Sequence, residues 1–275
     1  MSLKEDLLKL DLSDENFLEL DSLLRRMVDQ IGSPDSELRD KLIYGTFCKL
    51  INDGYLTESQ LSNLLVTLLD DQHLFFKIGE KDTDSVFTRS FSASVIALIL
   101  YKDREQQSLS DILIKQAIES GLTYLQNEVD TRGHVEGKGW AHAVAHGADL
   151  LDEAIRHPLF HMDMAEKSLR TIEKCLTNGQ AYFNEEDERL ITPIEALLEI
   201  GLNDSLLSNW LIGISLKLAE IRKEEGFSIF YFRKKTTFNS FIKTLYFRLK
   251  YRNIGTEIRG TIENILKEDY RKVYG

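Results

Sequence analysis

Residues 132–157 read RGHVEGKGWAHAVAHGADLLDEAIRH, and they combine a strong helical repeat with an unusual density of ionisable side chains. Five of the six histidines of the chain fall between His134 and His161. With Trp140 as origin and ~100° per residue, Trp140, Val144, Ala148, Leu151 and Ile155 lie within about 80° of one another, which is a packing stripe. His142, His146, Asp149 and Glu153 fall between about 180° and 240°, on the opposite side of the same helix. Their spacing of four, three and four residues makes them successive neighbours, so the row can converge on one ligand. The preceding loop carries Gly133, Gly137 and Gly139 around His134, Glu136 and Lys138. Glycine permits tight bends there, and Lys138 near a helix N-terminus would favour an anion.

Outward from this segment the helical period continues almost everywhere. Asn16 to Ile31 places Phe17, Leu20, Leu24, Met27, Val28 and Ile31 on one stripe and stops at Gly32. Ser33-Pro34 predicts a restart running to about Asn52 and ending at Gly54, and Thr57-x-x-Gln60 is a capping box for Ser59 to Asp70. Ser85 to about Leu100 is apolar nearly all round from Val95, as expected of a central helix. Ser108-x-x-Asp111 predicts a helix to about Val129. Further helices are expected at about Gly139–Arg156, Met162–Leu176, Thr192–Ile200, Ser205–Lys223, Thr237–Tyr251 and Gly255–Asp269. At Thr192-Pro193 the helix starts either at the Thr cap or slightly earlier, with Pro in its first turn.

Only three prolines interrupt 275 residues, too few for the turns of a strand-rich fold. The expectation is an all-α chain, a HEAT- or armadillo-like superhelix of helical hairpins, with a closed α/α toroid as the alternative. We read one all-helical domain over residues 1–275, with a soft boundary near Asn203 and a C-terminal extension over about 203–275. The formal charge of −11 excludes a global basic field for nucleic acid. Two cysteines, Cys48 and Cys175, sit in helical patterns as core thiols, which fits a reducing compartment. The leader MSLKEDLLKLDL lacks a basic start and a long apolar run, and Ala93 to Tyr101 is too short for a bilayer. A cytoplasmic protein without a membrane partner is therefore expected.

Three functions compete for the polar row. It lines a groove for a polar ligand or peptide, or His142, His146 and Asp149 hold a divalent metal in a hydrolase, or it is a solvated face. HExxH enzymes hold zinc through paired histidines at this spacing, but the glutamate following the first His is missing here. Neither a GxSxG elbow, a phosphate-cradling loop, a dinucleotide fingerprint nor an EF-hand occurs. Asp84 and Arg89 open as an N-cap and a groove-directed cation, or as a cap and an ion-pair partner. Gly226 to Thr256 carries seven Lys or Arg, no acid and nine aromatics; subtracting that +7 from −11 leaves −18 on the remainder. Phe238, Phe241, Ile242, Leu245 and Leu249 keep core spacing there, leaving a basic face that suits an acidic protein partner, so a structural interaction module is the third function.

The string RGHVEGKGWAHAVAHGADLLDE, with IGSPDSELRD (Ile31 to Asp40), GEKDTDSVFTRSFSA (Gly79 to Ala93) and EDERL (Glu186 to Leu190), resembles the bacterial family known as domain of unknown function 2785. The similarity spans about Ile31 to Gly201. It implies an all-helical, HEAT-like bacterial cytosolic protein, carries no activity or cofactor, and draws attention to Asp84, Arg89, Lys138, Trp140, His142, His146, Asp149 and Arg189. His134 departs from the aromatic, such as Tyr, expected there.

Overall fold

The computed structural model describes residues 2–11 and 20–274, with side chains described through 272. Asn16 to Glu19, the start of the first expected helix, lie outside the described residues. Among the described residues the chain is all-α apart from one small hairpin, and it divides into two compact units, Met1–Phe160 and His161–Gly275. Among the described residues no helix is long and apolar enough to cross a membrane.

The first unit comprises α1 (Leu3–Leu8), α2 (Leu20–Asp29), a π-helix (Glu37–Tyr44), α3 (Gly45–Asn52), α4 (Glu58–Leu68), α5 (Ser85–Gln106), α6 (Asp111–Asn127), the hairpin β1 (His134–Val135) and β2 (Gly139–Trp140), and α7 (Ala143–Arg156). Several boundaries follow from local chemistry. Thr57 and Gln60 form the expected capping box, and Gly54 turns the chain after α3 in the left-handed region. The restart after Gly32 comes at Ser36 rather than Pro34, because Asp35 Oδ1 accepts from the N–H groups of Glu37 and Leu38. Ser110, not Ser108, caps α6 by accepting from Leu113 N–H. The Ser108 N–H instead donates to Asp103.

Helix α5 is the axis of this unit. Val95, Ile96, Ile99 and Leu100 are fully buried, and α3, α4, α6 and above all α7 pack around it. It runs one and a half turns beyond the expected end, because Asp103 Oδ1 accepts from Ser108 and Leu109 while Oδ2 meets His157 Nε2 at 3.3 Å. A buried carboxylate satisfied from three sides ties the helix end to the following loop and to the end of α7.

Arg89 fixes the other end of α5. Its guanidinium is fully buried and makes a two-pronged bond to Glu128, Nε to Oε2 at 2.7 Å and Nη2 to Oε1 at 3.0 Å. The remaining N–H groups donate to Phe76 O, Ser85 Oγ and Glu80 O. Glu128 Oε1 also accepts from the N–H groups of Val129 and Asp130. Of the two roles open to Arg89, the structure shows the ion pair, which staples two loops to α5.

The second unit holds a 3-10 turn (Met162–Met164), α8 (Ala165–Leu176), α9 (Glu186–Arg189), α10 (Ile191–Glu199), α11 (Asp204–Glu225), α12 (Ile229–Tyr251) and α13 (Thr256–Tyr274). Helix α10 starts at Ile191, so Pro193 sits in its first turn. The position expected as a soft boundary, Asn203, is the N-cap of α11 inside this unit. Phe238, Phe241, Ile242, Leu245 and Leu249 are buried as their spacing required. Two of the basic residues opposite them are neutralised locally, since Arg248 and Arg252 pair with Glu195 and Glu199.

Removing one partner of a buried ion pair strands the other charge, at a cost of ~3–5 kcal/mol. Arg89→Ala should therefore lower urea-unfolding stability by about that amount, and Arg89→Lys should recover little, because an ammonium cannot reproduce the planar fork. A loss below ~1 kcal/mol would contradict the stapling role.

Candidate functional site

The loop before α7 is not the first turn of that helix. Gly137 and Gly139 take positive φ (73° and 81°), and residues 134–140 close a hairpin that pairs His134 with Trp140 and Val135 with Gly139. Gly139 is required here, because a Cβ would fall 2.6 Å from Ser36 Cβ and 3.2 Å from Arg39 Nη2. Helix α7 then begins at Ala143, with His142 as N-cap in the left-handed region (φ 45°, ψ 34°). Such a conformation costs a β-carbon residue ~1–2 kcal/mol. This corrects the wheel at its first turn. Val144, Ala148, Leu151 and Ile155 are the buried stripe, whereas Trp140 is 41% exposed in β2.

Trp140 heads an aromatic chain instead. Its ring stacks on His142 at 4.3 Å and meets His134 edge-on at 4.9 Å. His142 meets His146 at 5.9 Å, His146 meets Phe91 at 5.2 Å, and Phe91 meets Tyr44 at 6.0 Å, all edge-to-face. Each geometry is one that ring quadrupoles favour. Lys138 closes on Asp84, with both oxygens at 2.7 Å from Nζ, so two of the sequence candidates are brought together as a surface pair and Lys138 already has an anion. Arg89 is enclosed in its own clamp. Arg189 belongs to the second unit, at the end of α9.

The aromatic chain rests on Arg39, which sequence reasoning missed. Its fully buried guanidinium lies 4.1 Å from the Phe87 ring and 4.9 Å from Phe91. It donates to Ser33 O, Lys138 O and Trp140 O, and its Nε sits 2.7 Å from Asp40 Oδ1. Burial pushes the Asp40 carboxyl above its usual range, against the pull of Arg39. The wider π-helical turn brings residues five apart near one face, and Arg39 and Tyr44 accordingly both touch Phe91.

Beyond Tyr44 the α7 row opens into a cleft of about 550 Å³ between α3, α5 and α7. Asp149, Asp152 and Glu153 line it from α7, and Ser94, Tyr101, Lys102 and Glu105 from α5. Four carboxyl groups thus face one ammonium, and Lys102 Nζ is turned to the Asn52 carbonyl at 2.8 Å. Arg104 approaches Glu153 Oε2 at 3.0 Å and Arg156 holds Asp152 at 3.0 Å. Burial nevertheless dominates at Glu153 and, with Asp152 and Asp149 beside it, pushes its carboxyl up to about 7, against Arg104 and Arg156. Sequence reasoning found Asp149 and Glu153 but not Tyr101 or Glu105, which lie on the unexpected extension of α5. Among the described residues no group of three or more His, Cys, Asp or Glu side chains is arranged to hold a metal ion.

A family model described as "Protein of unknown function (DUF2785)" matches residues 74–247. The matched span contains the hairpin, α5, α6 and α7 whole, begins after the motif at Ile31–Asp40, and runs past Gly201 into α12. Among curated proteins and among solved structures, none matches the chain.

A carboxyl raised on folding binds its proton more tightly in the native state, so its contribution to stability falls as pH rises from the unfolded value through the folded one. For Glu153 that window runs from 4.5 to about 7. Glu153→Gln should match wild type near pH 4.5 and exceed it at pH 8 by ~1–3 kcal/mol in chemical denaturation. A difference that stays constant across this range would show that Glu153 is not held protonated by its surroundings.

Proposed function

The chain belongs to the family described as protein of unknown function (DUF2785), a description that names no reaction, and from the geometry we propose that it binds a polar, cationic ligand in the α3–α5–α7 cleft. The ligand class is an amine or guanidine, free or as the basic side chain of a peptide. The observation that carries this reading is the lining itself: Glu105, Asp149, Asp152 and Glu153 around a cavity large enough for a small molecule, with Tyr44 and Tyr101 beside them. Tyrosine faces attract cations at close range, and Arg104 already lies 5.1 Å from the Tyr101 ring.

Glu153 gives the site its selectivity. A carboxyl poised near neutrality is costly to ionise where it is, and an arriving cation offsets that cost. Anions meet the opposite situation. His146, Phe91 and Tyr44 wall the hairpin end of the row, and the Asp84–Lys138 pair and Trp140 close the surface beyond it. The part of the row that meets the ligand is Asp149 and Glu153, while His142 and His146 position the end of α7. The motif resemblance supports placing this binding protein in the bacterial cytosol.

Titration calorimetry with spermidine tests the reading. Affinity should strengthen about tenfold between pH 6 and pH 8, as Glu153 passes from largely protonated to largely ionised. Asp149→Asn with Glu153→Gln should weaken binding at least ~10-fold, equivalent to about 1.4 kcal/mol, while Asp84→Asn should leave it unchanged. Absence of heat at both pH values, or tighter binding at pH 6, would overturn the proposal.

A further inference from the structure

The second unit contains a cavity of opposite character. It measures about 400 Å³ and lies between α11, α12 and α13. Arg222, Lys223, Lys235 and Lys272 line it, against the single carboxylate of Asp269. Asp269 lies 2.8 Å from Lys235 Nζ and Glu268, beside the cavity, lies 3.5 Å from Lys272 Nζ, so two of the four cations carry a carboxylate partner. The first turn of α12 forms part of the wall, and Ser228 caps that helix by accepting from Tyr231 N–H. The helix dipole adds positive potential at this end. In a chain of net charge −11, such a local field acts nearly alone, because charges more than ~8–10 Å away through solvent are screened at physiological salt.

The floor and rim are apolar. Leu218, Tyr231 and Phe238 are buried within the lining. Arg222 lies 4.7 Å from the ring of Phe227, and Phe227 stacks on Phe232 at 5.8 Å with an interplanar angle of 19°. Phe232 in turn lies 5.5 Å from Tyr231. Phe227 and Phe232 are 68% and 46% exposed, with Ile229 between them 68% exposed. Large apolar side chains bared in one place, joined edge to edge with a basic cavity, mark a binding surface rather than scattered surface residues.

We propose that this cavity binds a phosphate-bearing anion with an apolar arm, the phosphate among Arg222, Lys223, Lys235 and Lys272 and the arm against Phe227 and Phe232. Compact dianions suit convergent ammonium and guanidinium groups. The stacked rim adds affinity that inorganic phosphate cannot use. Two sources supply this chemistry, a soluble alkyl phosphate and the headgroup of an anionic phospholipid.

Titration of the full chain with hexyl phosphate, inorganic phosphate and hexyl glucoside tests the proposal, with sedimentation on phosphatidylglycerol and phosphatidylcholine vesicles to identify the source. Hexyl phosphate should bind at least tenfold tighter than either comparison molecule. Lys223→Glu, an exposed position, should weaken it at least fivefold with unchanged helicity and melting temperature, and Phe227→Ser with Phe232→Ser should remove the advantage over inorganic phosphate. Asp269→Asn should tighten binding about threefold by deleting the carboxylate that competes for Lys235, an effect that a merely structural ion pair would not produce. Co-sedimentation with phosphatidylglycerol but not phosphatidylcholine assigns the ligand to a lipid headgroup, and hexyl phosphate binding without co-sedimentation assigns it to a soluble phosphate. Equal affinity for hexyl glucoside, wild-type affinity in Lys223→Glu, or no binding of hexyl phosphate would overturn it.

Discussion

How closely α7 can approach its neighbours governs the first unit. Ala143, Ala145, Gly147, Ala148 and Ala154 supply small residues among the buried positions of α7, between the larger Val144, Leu150, Leu151 and Ile155. At Gly147 a single added carbon would fall 2.8 Å from Leu125 Cδ1 and 3.0 Å from the Tyr124 ring. Tyr124, itself fully buried, uses its hydroxyl to donate to the Ala143 carbonyl at 3.2 Å. Close packing against α6 on one side and α5 on the other leaves the polar row of α7 little choice of position. His146 is pressed on Phe91, and Glu153 is held in a half-desolvated cleft where burial outweighs two nearby guanidinium groups. The unusual proton affinity of Glu153 is thus a consequence of helix packing.

Two fully buried arginines hold the surrounding loops, and they solve the same problem differently. Arg89 is neutralised by one carboxylate in two-pronged geometry and gives its other donors to loop carbonyls and the Ser85 hydroxyl. Arg39 has Asp40 at its Nε, two phenyl faces, and carbonyls from both the hairpin and the segment before the π-helix. Both tasks need a planar, permanently charged group with several fixed donors, which lysine does not offer. Between them they join segments up to 101 residues apart in sequence, so the cleft and the hairpin are built on a frame that local helix propensity alone would not assemble.

The all-α class and the longer helices were legible because apolar spacing and caps act locally: Thr57 with Gln60, and the all-round apolar run from Val95, say what they do without reference to the rest of the chain. The errors arose where a distant contact decided the outcome. Glycine at 139 followed by Trp140 reads as a helix start, yet Arg39 and Ser36 hold this backbone as a hairpin strand. Tyr101 to Gln106 lies past the end at about Leu100 that the apolar run marks, yet the satisfied carboxylate of Asp103 keeps it helical and so carries Tyr101 and Glu105 to the cleft. The π-helix leaves no periodic signature in eight residues. Asp149 and Glu153 were found because their spacing lies within one helix. Their partners on α5 were not, because no spacing rule connects two helices.

The two units present cavities of opposite sign, an acidic one against α5 and α7 and a basic one among α11, α12 and α13, and the first carries the central claim. Its most direct measurement is carbon-13 NMR of the Glu153 side-chain carboxyl, assigned by Glu153→Gln, titrated with and without saturating spermidine. The account predicts a midpoint near 7 in the free protein that falls by at least one pH unit when spermidine is bound. A midpoint near that of an ordinary glutamate in the free protein, or one that spermidine leaves in place, would contradict it.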